Sequence, residues 1–561
     1  MAEVNKETIK HPFLRIREIL DSESRDIWAI IVYGILVSLL ALVVPVAIQA
    51  LVNSVAYGQL TQQLFVMSVV VFLVLGFAGF FSSIQYYYIE LLQRRLFTRY
   101  ALDLAYRIPR LARHGVREKF GVEFANPFLE IVVLHKSLAH ILLEGLGLIL
   151  QVIVGVILLA VYHPLLLVFS ILLLIVIFII FIFGGRNGII TADKECSAKY
   201  SMLSWLEDMA RMPIMFHSSF GESFGLTSSD LMVRNWLDAR SKHFKIVFRQ
   251  NISMFAIHAI SSALLLGLGG VLVIKGQLSL GQLVASELVL NTALSGLSKF
   301  GKHLESYYDL MAALRKLDNL RSVPLETEGN EAIPDSEKDA ATLEIRDLSI
   351  IFADSEEPLL NNINLNIKKK EDVVIFGQGS SGKTVLLDCI YGLYTDFSGQ
   401  IKLDGYELRD ITRRSLRTRV GLIGEPEFFN GTLEENLLVG TKGVNKKEIR
   451  DLLDIAGLDR AVSRLPEGLQ SVMLPHSGLF SRGELVKLSI LRTVLANPGL
   501  IILDQSLDTL DPTSLEQAMN LLLQENRNWS ILTATSDTNV VKLFSSKYEI
   551  KDGKLSLYNY K

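Results

Sequence analysis

The stretch Gly377-Gln378-Gly379-Ser380-Ser381-Gly382-Lys383-Thr384 satisfies G-x-x-x-x-G-K-[ST] at every fixed position. Its flanks suit it. Asp372-Val373-Val374-Ile375-Phe376 reads as a short buried strand, and Val385-Leu386-Leu387-Asp388-Cys389-Ile390 has the spacing of a helix opening. In a strand–loop–helix of this kind the glycines let the backbone wrap around phosphate oxygens, and several N–H groups point inward. The positive end of the helix adds its field. Lys383 is placed to reach the outer phosphates, and the Thr384 hydroxyl to ligate Mg²⁺. An ordinary Gly/Ser turn would not bring this strand and this helix with it. The stretch predicts a loop that binds a nucleoside triphosphate.

Outward from the loop, alternating β pattern begins at Leu343 and recurs at Ile363-Asn364-Leu365-Asn366-Ile367. A second apolar strand, Gly499-Leu500-Ile501-Ile502-Leu503, lies downstream and ends in Asp504. A carboxylate at the C-terminal end of such a strand is where nucleoside triphosphatases hold Mg²⁺. About 120 residues separate it from the loop, room for a sizeable subdomain. Residues 322–342 are acidic, contain Pro324 and Pro334 and lack periodicity, which predicts a linker. The cassette is expected over 343–561.

The first half is different in kind. Half of all residues are hydrophobic, mean hydropathy is +0.34, and the apolar residues are concentrated in the first three hundred or so. That profile predicts a polytopic membrane domain over 26–321, preceded by a polar segment at 1–25 with no removable signal peptide. A bilayer core needs roughly 20 apolar residues per helix. Candidate spans lie at 27–55, 64–89, 138–161, 165–183, 252–274 and 278–297, about six. Links after the first and third spans carry no Lys or Arg, whereas the long links from Arg94 to Lys119 and from Arg186 to Arg249 are strongly basic. Positive-inside places those two links, both termini and the phosphate loop in the cytoplasm. A net charge of −3 offers no sign of nucleic acid, and Cys196 and Cys389 are expected to be reduced and structural. Three ionisable groups fall on spans: Glu144, His258 and Glu287. Such groups face a wet cavity or a partner, or are solvated near the membrane's edges.

These residues resemble an ATP-binding cassette, and nearly the whole chain is similar to a half-transporter of the exporter type. The resemblance rests on Ile401-Lys402-Leu403-Asp404-Gly405, on the segment Phe429 to Asn436, on Asp504 with Leu510-Asp511, and on the link Val273 to Val284 between the last two spans. It implies an α-helical membrane domain followed by an α/β P-loop domain, ATP and Mg²⁺ as cofactors, and a second half-transporter as partner. It also implies a cell membrane location, in bacteria the inner membrane, in contact with lipid, with coupling helices near 123–128 and 208–216. Phe352 falls where the family stacks an aromatic ring on adenine. The signature reads Phe480-Ser481-Arg482-Gly483-Glu484: Ser481 and Gly483 match phosphate-contacting positions, while Arg482 replaces a glycine and Glu484 a glutamine.

Three further positions depart from the pattern. Gln505 stands where the family has a glutamate that polarises water, Gly424 where it has a glutamine, and Thr535 where it has a histidine. A neutral amide cannot accept a proton, and a lost general base costs about 10²- to 10⁴-fold in rate. The expectation is tight ATP binding with slow or partner-assisted hydrolysis, in an exporter working as a dimer. The alternative is a non-hydrolytic regulatory subunit of a heterodimer. A soluble enzyme that is merely anchored would need one span, not several. The exported substrate is not legible.

Overall fold

The computed structural model describes residues 21–56, 61–112, 124–298, 300–334, 339–352, 357–441, 443–474 and 478–558. Most of the expected N-terminal segment, much of the link after the first span, Arg113, Arg117, Lys119 and Glu123 lie outside them. The chain divides into two compact units, the first reaching Pro324 and the second running from Leu325 to the end.

The first unit is helical. α1 (Ser24–Ala41) and α2 (Val43–Ala56) follow one another, then α3 (Thr61–Arg107). α4 (Pro127–His140) passes through a π-helical turn, Ile141–Gly145, into α5 (Leu146–Tyr162). Pro164 starts α6 (Pro164–Gly184), with the His163 ring accepting from the Leu165 N–H. α7 (Gly188–Arg211), α8 (Ser219–Ile274), α9 (Leu280–Ser298) and α10 (Phe300–Ser322) complete the unit. α3 has 47 residues and α8 has 56. At 1.5 Å per residue these exceed about 70 Å, more than twice the hydrocarbon thickness of a bilayer. The expected spans at 64–89 and 252–274 are thus only the apolar parts of these longer helices.

By length and composition, five helical stretches among the described residues can cross a membrane, at Ser24–Val55, Leu64–Arg110, Pro127–Tyr162, Pro164–Gly184 and Ser219–Ile274. The sixth expected span corresponds to α9, which is helical but carries Gln282, Ser286, Glu287, Asn291 and Thr292, and is not among the five. Ile30, Leu134, Met254 and Leu265 are buried on the inward faces of these helices, while Phe72, Val161 and Phe178 face outward. Apolar groups on the outer face are what a lipid-facing helix requires.

The second unit is built on a six-stranded sheet in the order β12-β11-β3-β10-β9-β6. These are β3 (Asp372–Phe376), β6 (Val420–Ile423), β9 (Leu500–Asp504), β10 (Ser530–Thr535), β11 (Ser546–Lys551) and β12 (Lys554–Leu557). All neighbours are parallel except β11 and β12. Alternation places Val374, Ile501 and Leu503 in one hydrophobic cluster and Val373, Ile375, Leu500 and Ile502 in the other. A sheet buried on both faces explains why these strands read as continuous apolar runs. A smaller antiparallel sheet orders β2 (Leu360–Ile367), β1 (Leu343–Ile350), β4 (Ser398–Leu403) and β5 (Tyr406–Glu407). The pair β7 (Gly431–Thr432) and β8 (Val472–Met473) stands apart.

The acidic stretch expected as a linker is held by the second unit from Leu325 onward. Glu326 pairs with Arg413 at 3.1 Å and with Arg417 at 2.7 Å. The Glu331 N–H donates to Asp410 O at 2.7 Å, and Ile333 is buried. Acidic residues that looked like solvated tether find a basic helix instead.

Candidate functional site

β3 delivers the chain into the loop, and α11 (Lys383–Ile390) carries it away. Close approach demands two of the glycines. A Cβ on Gly377 would lie 2.4 Å from Ile550 O, and Gly382 has φ +94 with Leu360 Cδ2 at 2.7 Å. Ser380 also takes a left-handed conformation, φ 62. Lys383 Nζ donates to the Gly377 and Gln378 carbonyls at 2.8 Å each, and Ser381 Oγ lies 3.4 Å away. Burial drives the Lys383 ammonium below its ordinary 10.5, although the Asp504 and Asp508 charges oppose that.

The parallel register does the rest. β10 lies between β3 and β9, with Thr535 paired to Phe376 and Ala534 to Asp504. The end of each strand therefore opens at one edge, where ligands bind in parallel α/β sheets. The Thr384 hydroxyl lies 3.2 Å from Asp504 Oδ1. These two oxygens fit Mg²⁺, which takes one or two carboxylates plus phosphate and water.

Gln505 follows in a left-handed conformation, φ 52, exposed, with its N–H on Ala534 O at 2.9 Å. That turn presents the amide side chain beside Asp504 rather than burying it. Thr535 is fully buried, and its hydroxyl donates to Asp508 Oδ1. The Ser536 N–H donates to Asp508 Oδ2 at 2.8 Å, and the Ser536 hydroxyl to Gly377 O at 3.4 Å. Asp508 is the residue that the sequence reading passed over. Its one signal was an extra carboxylate in the short loop between Asp504 and Asp511.

The remaining positions form separate groups. Phe352 meets Tyr394 edge-on, ring centroids 5.8 Å apart. Ser481 caps α12 (Arg482–Ala496): its hydroxyl accepts from the Glu484 N–H at 3.3 Å, and the Glu484 carboxylate accepts from the Ser481 N–H at 2.7 Å. Glu484 is therefore half of a capping box, a local reason for an acid at that position. Arg482 points out and sits 3.6 Å from Glu425. A Cβ on Gly424 would meet nothing within 4 Å, so the fold does not require glycine there. On the spans, Asn291 joins two residues singled out earlier, receiving His258 Nε2 at 3.0 Å and donating to Glu287 Oε1 at 2.9 Å. Glu144 lies beside His140 at 3.3 Å.

Residues 360–508 match the family model described as ABC transporter. They form an ABC transporter domain. One relative is the uncharacterized ABC transporter ATP-binding protein YwjA of Bacillus subtilis (strain 168), 32% identical over 287 residues, 50% of this chain and 49% of that protein. The ATP-dependent lipid A-core flippase of Syntrophus aciditrophicus (strain SB) is 35% identical over 186 residues, 32% of this chain and 31% of that one. The alpha-hemolysin translocation ATP-binding protein HlyB of Proteus vulgaris is 26% identical over 273 residues, 48% and 38%. The chain spans half or less of the length of these relatives. The structure of a bacterial Atm1-family ABC exporter with ATP bound superposes with a TM-score of 0.81 at 16% identity, over 96% of this chain and 94% of that one. The fold is that of an ABC exporter: an apolar helical unit followed by an ABC ATPase unit.

Proposed function

We propose that the chain is a half-transporter that exports a substrate across the cytoplasmic membrane, working as a dimer and driven by ATP binding. One observation carries the reading: the pairing of Thr384 with Asp504 beside the Lys383 loop, in a chain whose described residues also hold five apolar helical stretches. Gly377 to Thr384 cradle the triphosphate, Thr384 and Asp504 hold Mg²⁺, and Phe352 packs toward adenine. Ser481, Arg482 and Gly483 face the γ-phosphate on the second copy, where the positive end of α12 adds its field. Binding closes the two cassettes and drives the membrane helices to open outward.

Hydrolysis resets the cycle slowly. Gln505 can orient water through its amide but takes no proton, and Thr535 is committed to Asp508. Both termini and the cassette are cytoplasmic, from the basic links. The membrane domain occupies 26–321 and the cassette 343–561.

The test is reconstitution in liposomes with a panel of fluorescent lipid, peptide and amphiphilic dye probes. ATP-dependent movement of one probe, abolished by Lys383→Ala, is expected. Failure to bind MgATP would sink the reading.

A further inference from the structure

We propose that His140, Glu144 and His303 form a binding site for a divalent transition-metal ion of the zinc class. The site is independent of the nucleotide chemistry above. One ligand atom from each of the three lies within 4.8 Å of the others. His140 Nδ1 and Glu144 Oε1 are 3.3 Å apart, close to the roughly 3.3 Å edge of a tetrahedron built on bonds of about 2.0 Å. The His140 and His303 rings face each other, centroids 4.9 Å apart and tilted by 30°.

The backbone is built irregularly at this place. The π-helical turn Ile141–Gly145 interrupts the helix between His140 and the residues after Glu144. Such turns cost regular hydrogen bonding and cluster at functional sites. Across from it, α10 contributes His303, which is buried. His140 Nε2 is shut off from solvent with no hydrogen-bond partner among the described residues.

Chemistry selects the ion. Two imidazoles and one carboxylate suit Zn²⁺, Co²⁺ or Ni²⁺, whereas Mg²⁺ and Ca²⁺ want oxygen donors throughout. Three protein donors leave a coordination position for water. Bound there, the ion ties α4 and its π-helical turn to α10.

The experiment uses the full chain in detergent, purified on a tag without histidine, stripped with chelator and titrated with Zn²⁺ under excess Mg²⁺. One Zn²⁺ per chain is expected, displaced by Co²⁺, with a rise in Tm on loading. His140→Gln and His303→Gln should each weaken binding at least tenfold, and Glu144→Gln about tenfold, while His217→Gln changes nothing. The thermal unfolding of the metal-free protein, compared with wild type, checks that each variant is folded. If His303→Gln does not fold, Glu144→Gln at its exposed position still decides. Absence of Zn²⁺ binding in the micromolar range overturns the proposal. So does equal binding by wild type and the site variants, or a pair that responds to pH but not to metal.

Discussion

The Thr384 hydroxyl lies 3.2 Å from the Asp504 carboxylate, across 120 residues of chain. In the proposed function both groups act on the metal of MgATP. Thr384→Val should lower MgATP affinity about tenfold or more, the scale of one lost hydrogen bond to a charged group. Binding of ATP in chelator should change little. Calorimetric titration with and without Mg²⁺ separates the two; equal losses in both would mean that the pair does not hold the metal.

Gln505 stands exposed next to Asp504, so a carboxylate placed there meets solvent without new burial. Gln505→Glu should raise ATP turnover at least tenfold, toward the 10²- to 10⁴-fold range of a restored general base. Steady-state phosphate release measures it. A rate within twofold of wild type would show that Gly424 and Thr535 limit the reaction instead.

Asp508 accepts from both the buried Thr535 hydroxyl and the Ser536 N–H. Asp508→Ala leaves a buried hydroxyl without its acceptor, at a cost of about 1–3 kcal/mol. Thermal unfolding should start several degrees lower. Adding Thr535→Val removes the stranded hydroxyl and should recover part of the loss, a coupling that a double-mutant cycle reads directly. Strict additivity would mean that the contact is energetically idle.

Lys383 is buried, and its folded pKa lies below the ordinary 10.5. The folded state therefore holds its proton less tightly than the unfolded chain does. At neutral pH, where the amine is charged in both states, that mismatch destabilises the nucleotide-free protein. Lys383→Met should unfold at a higher temperature than wild type at pH 7 while losing nucleotide-induced stabilisation. The gap should narrow as pH rises from the lowered pKa toward 10.5. A gap that stays constant across that window would show that burial of the charge is not the cause.

Much of the architecture could be read from local pattern. The octapeptide at Gly377 needs two glycines where the backbone passes other atoms closely, and that demand is written in consecutive residues. The strand ending at Asp504 is apolar throughout because both faces of its sheet are buried. Helix lengths were legible in part: apolar composition marks the part that meets lipid and the two long basic links point to polar helix beyond it, but how far α3 and α8 run was not written in any hydropathy window. The acidic residues near Glu326 looked like tether because their partners, Arg413 and Arg417, lie about ninety residues away.

By itself the sequence determined what depends on neighbours along the chain: the phosphate loop, the apolar helices and the neutral amide at Gln505. Tertiary structure alone decided what depends on distance through space. It set Asp504 against Thr384, gave Thr535 to Asp508, and brought His303 to His140 from a helix more than 160 residues downstream. Side-chain chemistry is local, but coordination and hydrogen bonding need donors within a few ångströms, and only folding supplies that.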